Sequence, residues 1–402
     1  MSVEVLGNRL RIVKEQSAGP VSYIGLAVDA GSRDDPADAF GLAHFLEHTI
    51  FKGTRNRRAW HISNRMEAVG GELNAYTTKE MTMLYTVAPA GYEERALELL
   101  ADLVRNASFP EADTLRERDI VMEEISSYYD SPSDAVFDEF DELIYAGSGM
   151  AHNILGSEES VRGLDGTRAR EFLDRYYTPA NMALYCVTPR PEKALRLADR
   201  YFGGMDHDDK GHTRQTPPLN DPFDITRERG NTQANTVMGC RIPGRNDARK
   251  YPLMLFNNIL GGPGLNSRLN QQVREKRGLV YTIESTMTML SDCGTLNIYF
   301  GCDPENVARC RRLVREEIAR LADKPLGLKA FRQAQQQYCG QLAVLSDNRE
   351  NCAMSLGRSM IHYGRVLDLH EMAESIRAVT PEELRMAAES IAVNSLSKLT
   401  II

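Results

Sequence analysis

The chain has 402 residues, 42% of them hydrophobic and 26% charged, the composition of a soluble globular protein long enough for two domains. A formal net charge of −8 without any Lys/Arg-dense run excludes a general nucleic-acid binder, because a polyanion needs a cationic face. No stretch reaches the roughly 18 apolar residues of a membrane span, and the start, MSVEVLGNRLRIVKEQ, lacks the pattern of a secretory signal, so no membrane partner and a cytoplasmic location are expected.

In chain order, VEVLGNRLRIVKE predicts a strand pair turning at Gly7-Asn8, and VSYIGLAVDAG (21–31) predicts a buried strand. GLAHFLEHTIFKGT (41–54) predicts a helix. NRMEAVGGELNAYTTKEMTMLYTVAP (64–89) predicts a helix ending at Gly70-Gly71 and then two strands. YEERALELLADLVRNA (92–107) and LRERDIVMEEISSYYD (115–130) predict amphipathic helices. Runs of helix and strand without strict alternation give an α+β class with largely antiparallel sheets. The seven cysteines are scattered and never spaced C-x-x-C, so they predict reduced, buried thiols rather than a disulfide framework or a thiolate zinc site.

GMDHDDKGHTRQTPPLNDPFD (204–224) is poor in apolar residues and rich in Gly, Pro, Asp and Asn, so it predicts a linker. Residues 1–205 then form one domain, 206–224 the linker and 225–402 a second domain. The halves resemble each other. An offset of 209 lays GLAHFLEHTIFKG (41–53) over KYPLMLFNNILGG (250–262), placing Leu253, Phe256 and Asn257 opposite His44, Glu47 and His48. The 115–134 helix overlays 331–350, with Gln333 opposite Glu117 and Gly340 opposite Glu124. The chemistry-bearing residues are absent together from the second copy.

Each helical residue advances about 100°, so His44, Glu47 and His48 project from one face. Two imidazoles at i and i+4 form a zinc half-site, and a carboxylate between them can act as general base. The order H-x-x-E-H is the inverted form of H-E-x-x-H. A catalytic zinc needs a third protein ligand. Glu124 is assigned that place, with Glu117 two turns along the same face as a supporting carboxylate and Glu123 turned about 100° away. The expected chemistry is peptide hydrolysis with one Zn2+ per chain: zinc activates water and polarises a carbonyl, while Glu47 takes the proton and returns it to the leaving amine.

GLAHFLEHTIFKGT, GGELNAYTTKEMTMLY (70–85), ERDIVMEEI (117–125), YYTPANMALYCV (176–187) and REKRGLVYT (274–282) occur in the order seen in the pitrilysin/insulinase family of zinc peptidases, inverzincins. Over almost its whole length the chain resembles the bacterial branch near the mitochondrial processing peptidase. The resemblance implies two homologous α+β domains per chain, and two chains closing around a chamber. It implies zinc on His44, His48 and Glu124, Glu47 as base and Glu117 as an assisting acidic residue. It further implies that ELNAYTT (72–78) is a sheet-edge strand to which an extended peptide adds, centred on Asn74 and Ala75. Arg274 and Tyr281 match an Arg/Tyr pair that contacts substrate from the second lobe.

A homodimer follows from two lobes per chain, with a heterodimer containing a zinc-less homologue as the alternative. The competing functional readings are a non-catalytic structural subunit and a metal-dependent hydrolase of small non-peptide substrates. LGGPGLNSRL (260–269) lacks the context of a phosphate loop, and HDDKGH (207–212) is expected to be a solvated acidic loop. AGSGMAHNILGS (146–157) lacks the His-Pro found before ILG in many relatives, and His152 is assigned no role.

Overall fold

A computed structural model of the chain describes residues 1–206, 213–391 and 396–402. The HDDKGH segment, 207–212, lies outside the described residues. The first half runs β1 (Ser2–Val5), β2 (Arg11–Gln16), β3 (Val21–Val28), α1 (Leu42–Thr49), α2 (Ala59–Glu67), β4 (Glu72–Thr77), β5 (Thr82–Pro89), α3 (Glu93–Asn106), α4 (Glu111–Tyr129), α5 (Pro132–Ile144), α6 (Glu158–Arg162), α7 (Gly166–Tyr176), β6 (Met182–Thr188) and α8 (Pro191–Phe202). The second runs β7 (Asp224–Arg227), β8 (Ala234–Pro243), α9 (Lys250–Gly261), β9 (Thr282–Met289), β10 (Cys293–Cys302), α10 (Val307–Asp323), α11 (Leu328–Leu345), α12 (Arg349–Tyr363), α13 (Leu369–Ala378), α14 (Pro381–Ser390) and β11 (Ser397–Ile401). A π-helical turn, Asn270–Glu275, precedes β9.

One sheet has the order β1-β2-β6-β3-β5-β4 and the other β7-β11-β8-β10-β9. Without β1 the two orders correspond strand for strand. Each sheet also has a single parallel pair at the corresponding place, β2 with β6 and β7 with β11, the rest being antiparallel. The internal duplication and the α+β class expected from sequence are therefore present in the topology.

The chain divides into two compact units, Met1–Ser127, His152–Gln215 and Ser346–Leu367 in one, and Tyr128–Ala151, Thr216–Leu345 and Asp368–Ile402 in the other. The halves have exchanged a helix: α5 packs on β8 and β11 of the second unit, and α12 on β6, β3 and β2 of the first. Strand periodicity shows why both sheets need two covers. On β6, Met182, Leu184 and Cys186 join the core under α1, α3 and α7, while Ala183, Tyr185 and Val187 face the other way, into a cluster with Ala353, Leu356 and Met360 of α12. In the second unit Val237, Tyr299, Leu399 and Ile401 meet Val136, Phe140 and Ile144 of α5 in the same manner.

None of the seven cysteines takes part in a disulfide. Among the described residues no helix is long and apolar enough to cross a membrane.

The Tyr185 ring fixes how closely α12 approaches the first sheet. A Cβ at Gly25 would lie 2.5 Å from its Cζ, and one at Gly357 2.9 Å from its Cδ1. Gly357→Val is expected to lower stability by about 1–3 kcal/mol through overpacking. Gly340→Ala, where a Cβ meets nothing within 4 Å on α11, is expected to raise it by about 0.5–1 kcal/mol. Urea midpoints of the two variants check the contrast, and equal midpoints would refute it.

Candidate metal centre

The eight-residue helix α1 starts at Gly41, whose φ of +90° ends the preceding loop in a conformation that favours glycine. Its i, i+4 spacing brings the two imidazoles together edge-on, with ring centroids 4.6 Å apart. Glu124 comes from α4. Its Oε2 lies 3.8 Å from Nε2 of His44 and 3.5 Å from Nε2 of His48, and the three donor atoms fall within 4.8 Å of one another. Ligands about 2.0–2.1 Å from a tetrahedral zinc stand roughly 3.3–3.5 Å apart, close to the two separations from Glu124.

The protonation states suit that task. Burial, reinforced by the neighbouring His48, lowers the His44 pKa to about 3, so its imidazole is neutral at physiological pH. Nδ1 of His48 lies 3.3 Å from Oε2 of Glu117, and the other Glu117 oxygen accepts from the Lys52 ammonium at 2.8 Å. An acceptor at Nδ1 selects the tautomer that leaves the Nε2 lone pair free for a metal. This chemistry fits zinc.

Glu47 stands beside the donors without joining them. Its Oε2 accepts from Thr77 Oγ1 at 2.6 Å, and burial raises its pKa against the opposing effects of that hydrogen bond and of His48. Thr77 is the last residue of β4, and β4 lies at the end of its sheet, pairing with β5 alone among the described strands. Asn74 is exposed there and Ala75 half-buried, opposite Tyr85 and Leu84 of β5.

Arg274 and Tyr281 belong to the second unit. Arg274 is exposed in the π-helical turn, and the exposed Tyr281 donates its hydroxyl to Asp303 at 2.9 Å. At the place corresponding to the metal centre, Leu253 and Phe256 are buried in that unit's core, and Asn257 accepts from Ser285 Oγ at 2.5 Å.

Residues 11–158 match the family described as insulinase, peptidase family M16, and residues 164–338 match the M16 inactive domain. An uncharacterized zinc protease of Mycobacterium leprae is 32% identical over 388 residues, covering 95% of this chain and 87% of that protein. The chain belongs to the insulinase family, M16. Within the family, an uncharacterized zinc protease of Bacillus subtilis is 30% identical, with 96% of this chain and 94% of that one covered. The mitochondrial-processing peptidase subunit beta of Bos taurus is 28% identical, with 95% and 80% covered. A solved protease from Helicobacter pylori shares the M16 fold at a TM-score of 0.90 and 19% identity, covering 100% of this chain and 99% of its own.

Sequence reasoning assigned no role to Thr77 or Lys52, although both lie in quoted motifs. Lys52 lies three residues beyond the end of α1, so helix periodicity does not place it, and its contact with Glu117 is seen only in the fold. Glu117→Ala is expected to weaken zinc binding about 10- to 100-fold, the usual cost of losing a supporting partner. Lys52→Met should weaken it less. Competition with a chromophoric chelator measures both, and wild-type affinity in Glu117→Ala would remove Glu117 from the support of His48.

Proposed function

We propose that this M16 chain is a zinc-dependent endopeptidase of unfolded peptides and small polypeptides, with His44, His48 and Glu124 holding one zinc and Glu47 as the general base. The observation that carries the reading is the convergence of three donors beside a carboxylate anchored on an edge strand. The relatives named zinc protease support it.

Bound zinc would supply Lewis acidity, polarising a peptide carbonyl and lowering the pKa of water toward about 7. The chain's own residues do the rest. Glu47, with Oε2 held by Thr77, offers Oε1 to take a proton from the attacking water and to return it to the leaving amine nitrogen. The free edge of β4 offers backbone N–H and C=O groups around Asn74 and Ala75 to an extended peptide. Main-chain pairing selects for extension more than for sequence, and a folded protein keeps its strands paired already. Arg274 and Tyr281 are proposed as donors to the substrate backbone.

The inactive-domain match over 164–338 fits a second half without metal chemistry, whereas the non-catalytic reading requires the first half to be inert as well. Metal analysis with a quenched fluorescent peptide separates the two: chelator-sensitive cleavage by zinc-loaded protein supports the peptidase, and metal-free inert protein the scaffold. Glu47→Gln should retain zinc and lose turnover by orders of magnitude, while His48→Ala loses both. Wild-type turnover in Glu47→Gln would eliminate Glu47 as the base.

The proposed assembly is a homodimer in which the second half of one subunit completes the site of the other. A zinc-less partner chain is the alternative, suggested by the relative named as a subunit. Light scattering on the purified active protein checks this, and an active monomer would overturn it.

A further inference from the structure

The two histidines of the centre are held differently. His48 is oriented by its hydrogen bond to Glu117, whereas His44 Nδ1 is buried without a partner among the described residues. The orientation of His44 therefore depends on the backbone that carries it, the first turn of α1. That turn is gripped by Asp35. One carboxylate oxygen accepts from the Gly41 N–H at 2.7 Å and the other from the Ala43 N–H at 2.9 Å, immediately before His44. The Asp35 side chain is 0% exposed and sits at the positive end of the helix.

Asp35 is held in turn by the loop at which the chain re-enters the first unit. His152 Nε2 lies 3.3 Å from Oδ2 of Asp35, and the His152 ring stacks on Phe40 with centroids 4.1 Å apart and planes 14° from parallel. The Lys79 ammonium donates to the His152 carbonyl, and Ser160 Oγ donates to the Phe40 carbonyl at 2.8 Å. The backbones touch as well: a Cβ at Gly41 would lie 2.5 Å from the Leu155 carbonyl oxygen. The start of α1 is thus fastened to the 152–160 segment, which runs into α6, by side chains and main chain.

We propose that Asp35 and His152 are positioning residues of the metal centre, fixing His44 through the first turn of α1. The proposal rests on the zinc reading and adds two residues that touch neither metal nor substrate. His152→Phe keeps the stack on Phe40 and deletes the donor to Asp35, whereas His152→Gln keeps an N–H donor and deletes the ring. Zinc affinity of the full-length protein is measured by chelator competition, the cobalt(II) d–d spectrum reports ligand geometry, and the melting temperature of the metal-free protein reports the fold.

His152→Phe should weaken zinc binding about tenfold and alter the cobalt spectrum, with both effects reversed in His152→Gln. Wild-type zinc affinity in His152→Phe, or equal weakening in the two variants, would overturn the proposal. If His152→Phe fails to fold, Asp35→Asn, which removes one backbone acceptor, takes its place and must show the same weakening for the proposal to stand. A wild-type protein that binds no zinc would sink the zinc reading itself; a wild type that binds zinc, with variants that bind it equally well, would sink only the positioning role.

Discussion

The candidate metal centre depends on keeping two imidazole nitrogens and one carboxylate oxygen facing a common point. Left to themselves such groups find other partners: a histidine protonates and pairs with the nearest carboxylate, or turns its lone pair to a backbone N–H. Burial opposes the first outcome by making the charged form of His44 costly. Geometry opposes the second, because Glu117 takes the Nδ1 side of His48 and the Asp35 grip fixes the turn from which His44 projects. The separations of 3.5 and 3.8 Å to Glu124 are too long for good hydrogen bonds, so the donors have not collapsed on one another.

Duplication explains why one copy carries this arrangement and the other does not. A buried polar cluster costs stability unless its groups are satisfied, whereas apolar side chains at the same positions contribute core. The second copy has taken the apolar solution at two of its three positions: Leu253 and Phe256 join the packing around α9, and Asn257 is satisfied by Ser285. That half keeps the sheet and its edge strand β9, with Tyr281 exposed just before it. The helix exchange adds a further constraint. Each sheet is buried on both faces only because it borrows α5 or α12, so neither half of the sequence can complete its core from its own residues.

What the sequence made legible follows from the range of the interaction. His44, Glu47 and His48 share one short helix, where periodicity alone fixes their common face, and the structure brings Glu124 to them from α4 as expected. Glu117 was equally legible, because seven residues on a helix keep one side. Thr77, Lys52 and His152 were not, since their contacts form where the chain returns after tens of residues, and spacing carries no information about such contacts. Asp35 is only six and eight residues from the amides it holds, but it lies in a loop before α1, where no periodicity fixes its direction. The exchanged helices illustrate the same limit: the apolar stripe of α5 shows that one face is buried, but not what that face covers. Local order in the first half was readable down to the turn at Gly70-Gly71, which follows α2 with a φ of +74° at Gly70.

The position of Thr77 joins substrate binding to chemistry in the proposed mechanism. It ends the edge strand β4 and, two residues beyond Ala75, holds the base by a 2.6 Å hydrogen bond. A peptide that pairs with β4 is registered against the same backbone that fixes Glu47, so the scissile carbonyl and the carboxylate share one frame of reference. Errors in docking and errors in base placement are then correlated, and the separation between them, on which proximity catalysis depends, is preserved when the strand shifts as a whole. A base anchored on a separate loop would lack that protection. On that proposal, placing the anchor on the strand that receives the substrate keeps the reacting groups aligned whichever peptide is docked.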